Sequence, residues 1–151
     1  LLRGSLFTMA ILVFNKQKDL KLPAKAVKDL VGAVISHENE ECGDISIYFV
    51  SEKMICQLHD DFFQDPSPTD CISFPLESRP LSGEVFVCPR TAVLYAEQKG
   101  LDPYQETALY VVHGLLHLMG YDDLTANERR TMRKKEKSCM RELNNLNVSL
   151  R

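Results

Sequence analysis

A chain of 151 residues, 44% hydrophobic and 26% charged, has the size and balance of one ordinary globular domain. Its formal net charge of −3 excludes a globally basic nucleic-acid binder, so any such contact has to come from a local patch. No apolar run approaches the roughly 18 residues of a spanning helix, which gives no reason to expect a membrane partner. Five scattered cysteines (Cys42, Cys56, Cys71, Cys88, Cys139) form no CxxC pair, which argues for free thiols in a reducing cytoplasm.

The opening residues, LLRGSLFT, are too weakly apolar for a secretory signal. Met9 stands where a native start could lie, which makes residues 1–8 an extension or foreign residues and 9–151 the domain. Residues 10–14 (AILVF) read as a short buried strand. From Pro23 the apolar residues Val27, Leu30, Val31, Val34 and Ile35 recur at helical spacing, with the proline suited to the first turn. Residues 44–50 (DISIYFV) alternate and are rich in β-branched and aromatic side chains, so they predict a second strand. Ser51 then stands at an N-cap position before a helix to about Phe62.

Two prolines in QDPSPTD require a loop. Residues 71–76 read as a short strand cut by Pro75, a residue confined to sheet edges. Residues 83–88 are a further strand, able to pair with it as a hairpin. Pro89 opens a helix that Gly100 closes. Asp102 and Pro103 give the next start, N-cap followed by proline, for a helix that runs to a stop at Gly120. Thr125 with Glu128 forms a capping box before a charged last helix toward Leu143. Strands concentrate in the first half and helices in the second. The expected fold is α/β (α+β): one domain with a mixed sheet of about four strands and five or so helices on its faces.

The chemistry concentrates in HGLLHLMGYDD, residues 113–123. Four residues of helix bring His113 and His117 onto one face, near enough to share an ion. Gly120 supplies the positive φ for a sharp turn, and Asp123 follows as a third ligand. This HxxxHxxGxxD spacing is that of the long zinc-hydrolase motif with a carboxylate in third place, and three protein ligands leave a position open. Two core histidines are the plain alternative, but the glycine and carboxylate at their offsets speak against it. Peptidases of this type need glutamate after the first histidine as general base, and here that residue is Gly114.

These residues resemble the signature of the YbeY family, bacterial endoribonucleases that mature ribosomal RNA and survey ribosome quality. PTDCISFPLE (residues 68–77) is similar to the family's TDVLSFP block, SGEVFVCPRTA to its next strand, and MRKKEK to its final helix, so the likeness spans residues 9–143. The resemblance implies an α/β fold, one divalent ion with zinc as first choice, and single-stranded RNA as substrate. It also implies ribosomal RNA and the small subunit as partners, with ribosomal or assembly proteins beside them.

Two positions depart from the family pattern. Asp123 replaces the usual third histidine, which adds negative charge to the site and lets harder metals compete. Asp122 is the rival ligand. Phe63 occupies the place of an arginine thought to act near the scissile phosphate, so Arg90, Arg79 or a lysine substitutes in space, or activity is weakened. Asp70 and Ser73 are assigned to a polar cleft wall, with turn capping and ordinary strand packing as equal alternatives. Asp70, Ser73 and Arg90 are thus the expected catalytic group, with no general base identified. Phe62, Phe63 and Phe74 are candidates for base stacking, though core packing is the default for at least two. Arg129, Arg130, Arg133, Lys134, Lys135 and Lys137 offer a phosphate-binding patch or, by default, a solvated helix face. His37 and His59 receive no metal role. The expected activity is a metal-dependent endoribonuclease; the alternative is a ribosome-associated assembly factor with a structural metal and no cleavage.

Overall fold

The structure, a computed structural model, describes residues 10–151, so the expectations for residues 1–8 and Met9 lie outside the described residues. Its elements follow as β1 (Ala10–Lys16), α1 (Ala24–His37), β2 (Cys42–Val50), α2 (Glu52–Phe63), β3 (Cys71–Ser78), β4 (Leu81–Val87), α3 (Pro89–Lys99), α4 (Pro103–Leu118) and α5 (Ala126–Asn145). The strands form one mixed sheet in the order β1-β2-β4-β3. β1 runs parallel to β2 and β2 parallel to β4, while β3 pairs antiparallel with β4 as a hairpin.

Sheet order decides which strands are buried. β2 and β4 are central, and Ile45, Ile47, Phe49, Val85 and Val87 are fully buried. β1 was expected to be buried, yet it is an edge strand on which Leu12 and Phe14 stay exposed and only Ile11 and Val13 turn to the core. β3 is the other edge, where Pro75 removes no needed donor. The strand continues past that proline to Ser78 through a register shift between Pro75 and Glu77.

One face of the sheet carries the main core. Val27, Leu30, Val31 and Val34 of α1 meet Val111, Val112, Leu115 and Leu116 of α4 and Met132, Cys139 and Leu143 of α5 there. Each such aliphatic side chain contributes about 1.5–3 kcal/mol by leaving water. The other face has a smaller core of Val50, Ile55, Ile72 and Cys88 under α2. Ser51 caps α2 by accepting the Met54 N–H at 3.2 Å, and the left-handed Gln64 (φ 56°) ends it. α4 begins where the sequence predicts, with Asp102 accepting the Tyr104 N–H and Pro103 in the first turn. The α5 capping box has both of its hydrogen bonds.

A candidate metal centre and its cleft

α4 lies against the sheet with little room to spare. A Cβ on Gly114 would come within 2.4 Å of Val85 Cγ1 and 3.2 Å of Ser73 Oγ. No side chain fits there, least of all glutamate. The same contact fixes the rotation of the helix, and this rotation sends His113 and His117 to its open flank. Gly120 (φ +99°) then reverses the chain, and residues 121–124 come back past the two rings.

Three donor atoms converge as a result. His113 Nε2 and His117 Nε2 are 3.0 Å apart, and Asp123 Oδ2 lies 3.3 Å from the first and 3.5 Å from the second. Bonds of about 2.1 Å to a tetrahedral ion would set neighbouring donors about 3.4 Å apart. The donor set and its spacing therefore fit a divalent ion. Asp123, not Asp122, reaches the rings. The side chains are part-exposed, at 17% for His113, 25% for His117 and 37% for Asp123, so a ligand from solvent can reach the group.

A fourth residue, outside the HxxxHxxGxxD motif, orients the first ring. His113 Nδ1 meets Glu136 Oε2 of α5 at 2.5 Å, and both side chains are 17% exposed. A carboxylate on Nδ1 fixes the proton there and leaves Nε2 free to act as a ligand. Burial works against the charged ring, but the Glu136 hydrogen bond and the charges of Asp70, Glu136 and Asp123 outweigh it and raise the His113 pKa above 6.5. Glu136 had a sequence signal, because it falls on the inward face that carries Met132, Cys139 and Leu143 at helical spacing. A glutamate in that apolar row needs a partner.

The centre opens into a cleft of about 380 Å³ whose walls include Phe63, Thr69, Ser73, His117, Asp123 and Leu124, together with His59. His59, distant in sequence, is thus a wall residue; its Nδ1 is bonded to Ser67 O at 2.8 Å. Ser73 also faces the cleft, and its hydroxyl donates to Gly114 O at 2.8 Å, tying β3 to α4. Asp70 accepts the Cys71 N–H at 2.7 Å in a turn before β3 and acts on the centre through its charge. Burial, then the charges of Asp70, Asp123 and Glu136, push the Cys71 thiol well up, which works against a nucleophilic role.

The expected cations are elsewhere. Arg90 lies at the start of α3, 3.5 Å from Asp19, and Arg79 is exposed in the β3–β4 turn. Neither lines the cleft, nor does any lysine. On α5, Arg129, Arg130, Arg133, Lys134 and Lys137 are exposed, while Lys135 turns to Glu38 at 3.2 Å. Arg129 donates to Leu124 O at 2.8 Å, so the basic face of α5 begins at the rim of the cleft. Of the three phenylalanines, Phe74 packs between Phe62 and Phe86, whereas Phe63 faces the cleft.

The chain is similar to known proteins over nearly its whole length. The family model described as Endoribonuclease YbeY matches residues 12–144. A protein named Endoribonuclease YbeY from Protochlamydia amoebophila is 48% identical over 142 residues, covering 91% of this chain and 95% of that protein. One of the same name from Chlamydia felis is 37% identical over 139 residues, covering 86% and 88%. A solution structure from Thermotoga maritima matches the fold with a TM-score of 0.61 at 26% identity, over 89% of each chain.

Proposed function

The chain belongs to the endoribonuclease YbeY family, and from this premise we propose that it is a metal-dependent endoribonuclease that cuts single-stranded RNA in ribosomal RNA maturation and ribosome quality control. The observation that carries the reading is the convergence of His113 Nε2, His117 Nε2 and Asp123 Oδ2 at the end of an open cleft. Those three side chains would hold one divalent ion, zinc first. When bound, such an ion supplies polarisation of a phosphoryl oxygen and a water of lowered pKa.

The chain's own residues do the rest. Glu136 keeps the His113 proton on Nδ1 and so keeps Nε2 available. Asp123 partly neutralises any bound cation, which favours harder metals more than a third imidazole would. Ser73 holds the β3 wall to α4, and Asp70 adds negative charge near His113. Arg90 contacts a phosphate only on leaving Asp19; its neighbour Thr91 already bonds Thr69 O on the cleft wall. A peptidase is disfavoured because Gly114 leaves no space for the glutamate that such chemistry needs. Small-subunit RNA, ribosomal or assembly proteins and the cytoplasm complete the reading; no helix among the described residues is long and apolar enough to cross a membrane.

One observation favours a second reading, an RNA-binding assembly factor with a structural metal. Among the described residues, the cleft wall contains no arginine or lysine to neutralise a scissile phosphate. Cleavage of a labelled single-stranded RNA, with and without chelator and beside His117→Ala, separates the two. Cleavage abolished by chelator and by the variant, and restored by zinc or manganese, supports the nuclease. A folded, metal-loaded protein that binds the RNA without cutting it would move the assignment to the assembly factor.

A further inference from the structure

We propose that Phe63 and Leu124 form a nucleobase subsite in the cleft, in which one unstacked base of the RNA lies on the Phe63 ring beside the metal centre. The proposal rests on the single-stranded RNA reading and names the part of the substrate that this site takes. Phe63 is the second residue of a Phe-Phe pair that ends α2, and the two rings have different surroundings. Phe62 sits edge-on to Phe74 at 4.9 Å, in a series of rings that continues through Phe86 and Tyr48 to Phe14 across the sheet. Phe63 joins no such series. Among the described residues its one ring neighbour is His59, tilted by 57° at 5.8 Å, and the residue remains 55% exposed. Leu124, 81% exposed, lines the same cleft from the metal loop.

Two exposed apolar side chains in a cleft of about 380 Å³, beside a phosphodiester-directed centre, match the chemistry of a flat aromatic ligand. Most polar side chains of the cleft are already engaged: Ser73 donates to Gly114 O, Thr69 to Asp70 Oδ1, and His59 Nδ1 is bonded to Ser67 O. His117 and Asp123 belong to the metal group, which leaves Asp122 for the edge of a base. Recognition by ring faces with few directed hydrogen bonds tolerates any base but requires it to be unpaired, so the subsite selects single strands without reading sequence. Its contribution is also uncharged. Contacts to phosphates weaken with salt, and stacking on Phe63 does not.

The test is equilibrium binding of the metal-loaded protein to a labelled 2′-O-methyl oligoadenylate, whose length is verified on a gel after each titration, read by anisotropy over a range of salt. A series of the same oligonucleotide with one abasic residue at successive positions is measured in parallel. Phe63→Ala is expected to weaken binding about tenfold, the scale of one base–aromatic stack, with the slope of log affinity against log salt unchanged. Phe63→Tyr should bind as the wild type does. One abasic position should cost the wild type about tenfold and cost Phe63→Ala nothing further. Phe63→Arg should steepen the salt slope by about 0.7, one added phosphate contact to a single strand. Equal binding by wild type and Phe63→Ala, or a loss that no abasic position absorbs, overturns the subsite and leaves the RNA reading in place. Failure of the wild type to bind any oligonucleotide of the series overturns both. Melting temperature and metal content, expected to be unchanged in Phe63→Ala, exclude a folding defect as the cause.

Discussion

Among the described residues, two groups of three bring metal-capable atoms within 4.8 Å of one another: His113, His117 and Asp123 on α4 and its following loop, and His37, Glu38 and Cys139 between α1 and α5. Both meet that distance, the first group at 3.0–3.5 Å and the second with Cys139 Sγ 3.9 Å from Glu38 Oε2. Their partners set them apart. In the first group, the two Nε2 atoms and one carboxylate oxygen face each other and a cleft, and the orienting carboxylate Glu136 binds the far side of one ring. In the second, Glu38 already has a cation, Lys135 at 3.2 Å, and accepts from Tyr121 OH at 3.4 Å. His37 Nε2 is bonded to Ser138 Oγ at 2.8 Å, and burial, with the Glu38 charge, pushes the Cys139 thiol up to about 12. A metal ligand must be deprotonated at the atom that binds. The comparison teaches that charge balance and access, more than proximity, decide where an ion can bind.

The largest expected effect breaks the first group. His117→Ala should abolish stoichiometric metal binding, measured by elemental analysis after dialysis, and lower RNA cleavage at least about a hundredfold, since it removes one of three ligands. His37→Ala should leave both unchanged. Equal losses in the two variants would make the comparison wrong. Next in size is Glu136→Gln, which keeps the shape of the side chain but removes the charge that fixes the His113 tautomer. It should weaken metal affinity about 10–100-fold, the usual cost of losing such a partner, as read by competition with a chromophoric chelator.

The second group is tested by removing its cation. Glu38 is only 6% exposed, and Lys135→Met strands its carboxylate. The loss should be about 2 kcal/mol, at the scale of a buried charge left without its partner but reduced by the part-exposure of Lys135. Denaturant unfolding measures it. Metal stoichiometry should stay at that of the wild type even so, because Cys139 remains protonated. A raised thiol pKa also fixes a sign with pH. The folded state holds the Cys139 proton more tightly than the unfolded state, whose value is near 9.0. That stabilisation is fully present below pH 9 and is lost as the pH rises through about 12. Alkylation of Cys139 in the native protein should accordingly be undetectable at pH 8, where an exposed thiol reacts. Rapid labelling there would show that the pocket is open.

The same division explains what could be read in advance. The convergence of His113, His117 and Asp123 was legible because its information is local: two histidines one helical turn apart, a glycine able to take φ +99°, and an aspartate just beyond. Caps such as Ser51, Asp102 and Thr125 were legible for the same reason. The family's name followed from those residues, and the matched region, residues 12–144, agrees with that reading. What escaped depends on tertiary neighbours. β1 looks apolar enough to be buried, but the order β1-β2-β4-β3 places it at an edge. His59 carries no mark of its role until α2 is set beside α4, and the place of Glu136 in the apolar row of α5 shows that it needs a partner without showing which. The sequence shows at Gly114 that the base is missing; only the 2.4 Å that an added Cβ would leave to Val85 Cγ1 shows that the sheet itself opposes a side chain there.

The smallest effect concerns Arg90, which local reasoning placed in the catalytic group and the fold pairs with Asp19 at 3.5 Å. Its side chain is 48% exposed and that of Asp19 28%, so the pair is a surface ion pair worth at most about 1 kcal/mol. Arg90→Ala should shift unfolding by no more than that. Cleavage should fall only a few-fold, the loss of one screened phosphate contact made when the arginine leaves Asp19. Asp19→Ala provides the opposing variant: releasing Arg90 should raise affinity for single-stranded RNA slightly at low salt and not at high salt. A cleavage loss in Arg90→Ala as large as that of His117→Ala would instead place the guanidinium at the scissile phosphate. The cation missing from the cleft wall would then be supplied by a movement of the α3 start.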